Sequence, residues 1–428
     1  MPEPARRPLS GVRVVDFTEY VAGPYGTMML ADLGAEVIKV EPLEGDHWRR
    51  QQPLAPHESR YFVAVNRGKQ SLSLDAFAAE GRAILDDLIR TADVVILNYR
   101  QPTVDALRLD YESVRAVKSE IVYCNITAFG TRGPYRDKPG FDLLMQAMTG
   151  IMDFERKVDR GVPVGILTVA PADLAAGMFA AFSVASALFD RERTGEGKRI
   201  DLSLFAAALA IQYRVALSID RFDAERRSQM LEAIAAVREQ GLGYPATLEF
   251  RAGLGLQRAT AHYYRVYQAR DGMVAVACLN NRQRRALRDE LGIDDPAVEG
   301  SVFQGREATA EEHVALMERF EASFRERTVA EWTARLNEID VPTVPVRLTE
   351  EIFDDPQAVA LGIFESYEHP VLGRITQARS PVEYDGEPMS IPGPPPVLGG
   401  DTDAILGSLG YSPERVEALR NKGVVRES

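Results

Sequence analysis

Cysteine is nearly absent from this chain, with two residues, Cys124 and Cys278, among 428. Each lies in an apolar, strand-like run, so both read as buried thiols, and the count excludes a disulfide framework. There is no CxxC pair, and the five histidines are scattered without HExxH spacing, so no catalytic metal is expected. Positive charge is also scarce. Fifty Lys and Arg stand against 63 Asp and Glu, a net charge of −13, which argues against nucleic acid or an anionic membrane surface as partner. An anionic small ligand is still allowed, because it needs only a local basic pocket. The longest uncharged stretch, 174–189, has sixteen residues, short of the roughly 20 that a membrane span requires. It is expected to be a buried helix. The opening MPEPARRPLSG has no apolar signal region, and a cytoplasmic protein is expected.

What is present is apolar material for a large core, 45% of the residues, and a regular alternation of elements. VRVVDFTEY at 12–20 opens with a short β-branched run, a strand signal, and Gly23-Pro24 then breaks the chain. Residues 25–33 are helical and stop at Gly34, and AEVIKVE at 35–41 is a second strand. This is a βαβ unit, which favours a parallel sheet. The turn reads VAGPYG rather than GxGxxG, so the layout is Rossmann-like without the dinucleotide fingerprint. The alternation continues through 93–98, 121–127 and 200–211. The fold class is therefore α/β: a Rossmann-like large domain with a parallel sheet, plus a smaller α+β domain. The expected division is 1–212 for the first part of the large domain and 213–260 for a charged helical arm and a glycine-containing loop. A small domain over 261–330 opens on a hairpin around Asp271-Gly272. An extended return over 331–428 would complete the large domain, ending in a helix–turn–helix with Ser412-Pro413 as a cap.

Several segments, in order, resemble the class III CoA-transferase family (CaiB/BaiF type), which also contains α-methylacyl-CoA racemase. They include LSGVRVVDFTEYVAGPYGTMMLADLGAEVIKVEPLEGD at 9–46, NRGKQSLSLD at 66–75 and ADVVILNYRQPTVDALRLDYE at 92–112. Others are FGTRGPYRDKPGFDLLMQAMTG at 129–150, ADLAAGMFAAFSVASALFDRERTGEGKRIDLSL at 172–204 and two stretches near 354–388 and 410–425. The match is poor over about 213–260. The resemblance implies a homodimer of two interlocked rings. It also implies an enzyme with acyl-CoA and a carboxylic acid as substrates and no tightly bound cofactor.

Asp173 follows Pro171 at the head of a long apolar helix. On position alone it reads as an N-cap. The resemblance makes it the nucleophile that attacks the donor thioester and ends as an aspartyl-CoA thioester. For CoA, the resemblance points to the backbone of Val21 and Ala22, to Lys69 and Asn98 near the nucleotide, and to Lys39, Arg67 and Lys138 among the basic residues. The family's Arg after the strand matching VIKVE is Pro42 here, so Arg49 or Arg67 is expected to take over its role at a CoA phosphate. Gly253, Gly255 and Gln257 resemble a glycine-rich loop over the intermediate; the plain alternative is a flexible turn. Asp142 reads as a helix cap or a second acid, and Asp201 as a residue satisfying backbone after a glycine turn. In racemases a His stands where this chain has Phe141, and a phenyl ring cannot shuttle a proton. A non-catalytic acyl-CoA binder would have no need of Asp173.

Overall fold

The structure, a computed structural model, describes residues 6–253, 261–295, 298 and 310–426. The chain forms two compact units, Met1–Ala224 with Val359–Ser428, and Glu225–Ala358. The boundary expected at 330/331 falls inside the second unit. There a strand at Thr343–Pro345 pairs with one at Met273–Ala277, so the unit cannot close before that point.

The first unit is built on six strands: β1 (Arg13–Phe17), β2 (Glu36–Glu41), β3 (Lys69–Ser73), β4 (Val94–Leu97), β5 (Val122–Thr127) and β6 (Lys198–Ser203). Their spatial order is β6-β5-β4-β1-β2-β3, and every pair is parallel. Alternate side chains serve two cores, as strand geometry requires. Val15, Phe17, Ile38, Leu72, Val95 and Leu97 face one core, which α2 (Ala79–Thr91) covers. Val14, Val37, Val94, Ile96, Val122 and Cys124 face the other, covered by α1 (Ala22–Asp32) and by the long helix that bears Asp173. Residues from the end of the chain, Ile405, Leu406, Leu419 and Val425, fill the first core.

α1 starts at Ala22, so Gly23-Pro24 lies inside its first turn rather than breaking the chain before it. Proline is tolerated there because the first N–H groups of a helix have no partner to lose. Between α1 and the Asp173 helix come α3 (Tyr111–Val117) and α4 (Asp142–Met148). α5 runs from Pro171 to Thr194 and is followed by α6 (Leu204–Ala210). By length and composition alone α5 could cross a membrane, and half of that stretch is buried. The expectation of a buried helix holds for one face only: Ala176, Ala180 and Val184 face the core, but Phe182 is 70% and Phe189 65% exposed. The helix α7 (Asp220–Glu239) has no buried residue. In the second unit, β7 (Tyr264–Gln268) and β8 (Met273–Ala277) form the hairpin expected around Asp271-Gly272, over a separate core that includes Tyr267, Phe320 and Trp332.

Candidate active site

In parallel sheets ligands bind beyond the carboxyl ends of the strands, where the strand order reverses. Here that point lies between β1 and β4. The Asn98 amide, just after β4, spans it: its Oδ1 accepts from Glu19 N (2.9 Å) and its Nδ2 donates to Glu19 O (2.8 Å). The turn 18–22 is thereby fixed, and Tyr20 within it is held at φ 67°, a left-handed conformation costly for a bulky side chain.

Buried charges fix the same turn from behind. Lys69 donates to Asp16 (3.0 Å), to Pro24 O (3.0 Å) and to Asn66 (2.8 Å). Lys39 pairs with Asp46 at 2.9 Å and donates to Thr18 O. Burial drives Lys69 down to about 8 despite its Asp16 partner. Burial would raise Asp16, yet Lys69 and Lys39 together hold it down to about 2. Lys39 and Lys69, expected at the CoA phosphates, instead reach the cavity only through the backbone they brace. Arg67 is spent on Asp32 (3.0 and 2.6 Å) and Arg49 on Glu41 (2.7 and 2.9 Å), both deep in the protein. Neither lines the cavity, in contrast to the place expected of an arginine standing in for the one absent at Pro42.

The cavity beside this turn has a volume of ≈ 890 Å³, and Tyr20, Val21, Ala22, Asn98, Phe141 and Asp173 line it. Asp173 arrives through a close helix crossing. A Cβ on Gly26 of α1 would lie 2.7 Å from Gly177 O, and one on Gly177 would lie 2.6 Å from Ala22 O. Only two glycines allow α1 and α5 this approach, and it sets the second turn of α5, one turn beyond Asp173, against Ala22.

Asp173 is not the cap of its own helix. The N-cap position is Ala170, at φ 42°, and it supplies no side chain to the helix. The cap comes from Asp142, whose Oδ1 accepts from Ala172 N (2.7 Å) and Asp173 N (3.2 Å). Its Oδ2 accepts from Gln146, which also pairs with both backbone groups of Ile166 at 2.8 Å. Among the described residues no side chain bonds to the Asp173 carboxyl. Burial, and then the Asp142 charge, push it up to about 7. It is thus a carboxyl poised to ionise near neutral pH.

Positive charge reaches the cavity through Arg100, Arg136, Lys138 and Arg199. Arg136 pairs with Asp137 and Arg199 with Asp201. Among the described residues no carboxylate pairs with Arg100 or Lys138; the Lys138 ammonium sits 4.3 Å from the centre of the Tyr135 ring. Phe141 is exposed to the cavity and packs edge-on against Tyr20, with ring centres 5.4 Å apart. Arg136 and Arg199 were missed in the sequence, although Arg136 sits two residues from Lys138. Gln146 was missed too; its i, i+4 spacing from Asp142 was the available signal. Gly253 ends a helix, Tyr244–Gly253, while Gly255 and Gln257 lie outside the described residues.

Sequence and structure comparisons place the chain in a family. The family described as "CoA-transferase family III" matches residues 9–402. The chain is 30% identical to succinyl-CoA:glutarate CoA-transferase of Mus musculus, over 98% of this chain and 91% of that one. It is 33% identical to succinate–glutarate CoA-transferase of Agrobacterium fabrum, over 94% and 96%. A crystal structure of a CaiB/BaiF family protein from Brucella suis superposes with a TM-score of 0.72 at 29% identity, covering 94% of this chain and all (100%) of the other. A match that begins before β1 and ends in the returning segment leaves one assignment: this chain is an enzyme belonging to CoA-transferase family III.

Proposed function

We propose that the enzyme moves CoA from an acyl-CoA donor to a carboxylic acid, with Asp173 as the covalent carrier. The observation behind this reading is that Asp142 takes over the capping of α5, which leaves the Asp173 carboxyl unbonded at the wall of the cavity. An oxygen of ionised Asp173 would attack the thioester carbonyl, breaking its C–S bond and releasing CoA thiolate. The thiolate would attack the aspartyl carbonyl of the resulting anhydride and expel the donor's acid as carboxylate. An acceptor carboxylate then repeats the two exchanges in reverse. One thioester replaces another, so the chain's own tasks are to ionise the nucleophile, orient the reactants and exclude water.

The unpaired cations Arg100 and Lys138 suit the CoA phosphates, and the free N–H groups at the start of α1 suit the same polar chain. The relatives named for succinate and glutarate make small dicarboxylic acids the first acceptors to try, with succinyl-CoA as donor. Phe141 offers no base beside Asp173, which supports transfer over racemisation. With succinyl-CoA and no acceptor, hydroxylamine is expected to trap an acyl adduct that peptide mapping places at 173. Asp173→Ala is expected to lose more than ~10³-fold in rate, the scale for a nucleophile acting within a unit. Near-normal turnover in that variant would sink the mechanism.

A homodimer is the proposed assembly, interlocked as in the family it resembles. Its support is the exposed apolar surface of α4, α5 and the segment after α6: Leu143, Leu144, Phe182, Phe189, Tyr213 and Leu217. Side chains of this size are usually covered by a partner when many are exposed together.

A further inference from the structure

Two carboxylates share the head of α5, and a helix cap needs only one neutral acceptor there. Serine or asparagine caps a helix about as well as aspartate. Asp142, however, is drawn in from another helix, is almost fully buried, and is held from behind by Gln146, itself completely buried. Gln146 makes two further bonds to Ile166, on the segment that leads into α5. The clamp therefore fixes Asp142, the approach to α5 and the first turn of α5 as one piece. The Asp142 oxygen lies 3.2 Å from the backbone nitrogen of Asp173.

We propose that Asp142, clamped by Gln146, is a positioning residue that drives the nucleophile into its covalent state: its charge crowds the Asp173 carboxylate, and the crowding ends when Asp173 becomes a neutral acyl group. The inference rests on Asp173 being the nucleophile. In the exchange, ionised Asp173 and the uncharged thioester group of acyl-CoA give an uncharged aspartyl-CoA thioester group and a free carboxylate, while the charges of CoA itself are unchanged. One negative charge thus leaves the enzyme with the released acid. A fixed negative neighbour raises the energy of the starting state and leaves that of the neutral thioester nearly unchanged. Such a neighbour favours loading and keeps the waiting nucleophile basic.

The other charges near the cavity do not offset this. Glu19 faces His47 at 3.3 Å. Arg100, Arg136, Lys138 and Arg199 make no hydrogen bond or ion pair with Asp173. α1, packed on α5, brings Tyr25 to the Gly177 crossing and no charge.

The test uses the full-length protein with succinyl-CoA and succinate in fixed ratio, at several pH values. Intact-mass spectrometry after acid quenching reads the ratio of aspartyl-CoA thioester to free enzyme, and initial rates give kcat/KM against pH. Asp142→Asn and Asp142→Ser each keep an oxygen that can accept from the two N–H groups, and melting curves verify that they fold. Expected is a fall of about tenfold in the adduct ratio in both variants. Their rising limb of kcat/KM should move about one unit toward acid, since a tenfold change in an equilibrium corresponds to one pKa unit. Gln146→Leu, which loosens the clamp but keeps the charge, should lower the rate without moving the limb to acid. Wild-type adduct ratios and an unmoved limb in the folded Asp142 variants would reduce Asp142 to a helix cap and overturn the inference. A wild-type enzyme that forms no adduct at 173 would instead overturn the nucleophile itself.

Discussion

At the scale of single residues, the same kind of side chain plays opposite parts according to what surrounds it. Lys69 and Lys138 both lie in segments that resemble CoA-binding stretches. Lys69 is buried against Asp16, whereas Lys138 lines the cavity with no carboxylate partner among the described residues. Breaking a buried pair leaves an uncompensated charge, so Lys69→Met is expected to cost roughly 3–5 kcal/mol of folding stability, measured by urea unfolding. Lys138→Ala is expected to leave the unfolding curve in place and to raise KM for acyl-CoA severalfold, less so at high salt, as a screened phosphate interaction should. Asp173 carries a pH signature of its own. Its folded-state value, pushed up to about 7, lies above that of an unfolded aspartate. Its protonated form therefore favours the fold: the stabilisation is complete below about pH 4 and is lost as pH rises through about 7. Asp173→Asn is expected to melt higher than wild type at pH 8, by the equivalent of roughly 1–3 kcal/mol, with the gain vanishing near pH 4. An equal gain at both pH values would show that the carboxyl is not strained by its surroundings.

At the scale of elements, the site depends on one helix crossing. Gly177→Ala is expected to keep the sheet but part α1 from α5, because the new methyl would sit 2.6 Å from the Ala22 carbonyl. Overpacking of this kind costs about 1–3 kcal/mol. It should also lower kcat, since a misplacement of ~1 Å can cost ~10² in rate; steady-state kinetics and a thermal melt read the two effects separately. Much of this architecture was legible in the sequence. The opening of VRVVDFTEY and the runs AEVIKVE and DVVILN read as strands, each within a residue or two of its observed ends, and the helices between them imply parallel pairing. Asp173 at the head of an apolar helix was legible as well. The roles of Lys39, Arg49, Arg67 and Lys69 were not, because a charged residue reads as surface unless its partner is known. The partners Asp16, Asp32, Glu41 and Asp46 come from other strands, from the end of α1 and from a turn. Asp142 was legible as a helix cap, but the helix it caps was not, for that helix starts some thirty residues later. The glycines of the crossing carry no signal until two helices are known to touch.

At the scale of the molecule, the exposed apolar side chains of α4 and α5 predict that the protein is a dimer. Sedimentation at nanomolar concentration is expected to show no monomer; dissociation on simple dilution would rule out interlocking. The returning chain has another consequence, which concerns synthesis. β1 to β6 are complete by residue 203, yet Ile405, Leu406, Leu419 and Val425, which seal one face of the sheet, come about 200 residues later. At ~5–20 residues per second the ribosome leaves that face covered only in part, by α2, for roughly 10–40 s. The second unit, made in between, has its own core and can fold first. The nascent sheet must therefore wait, with its β3 edge around Leu72 and Leu74 uncovered, for a seal still being translated. A chain stalled before residue 405 should be a sticky, chaperone-bound species, however good its first half.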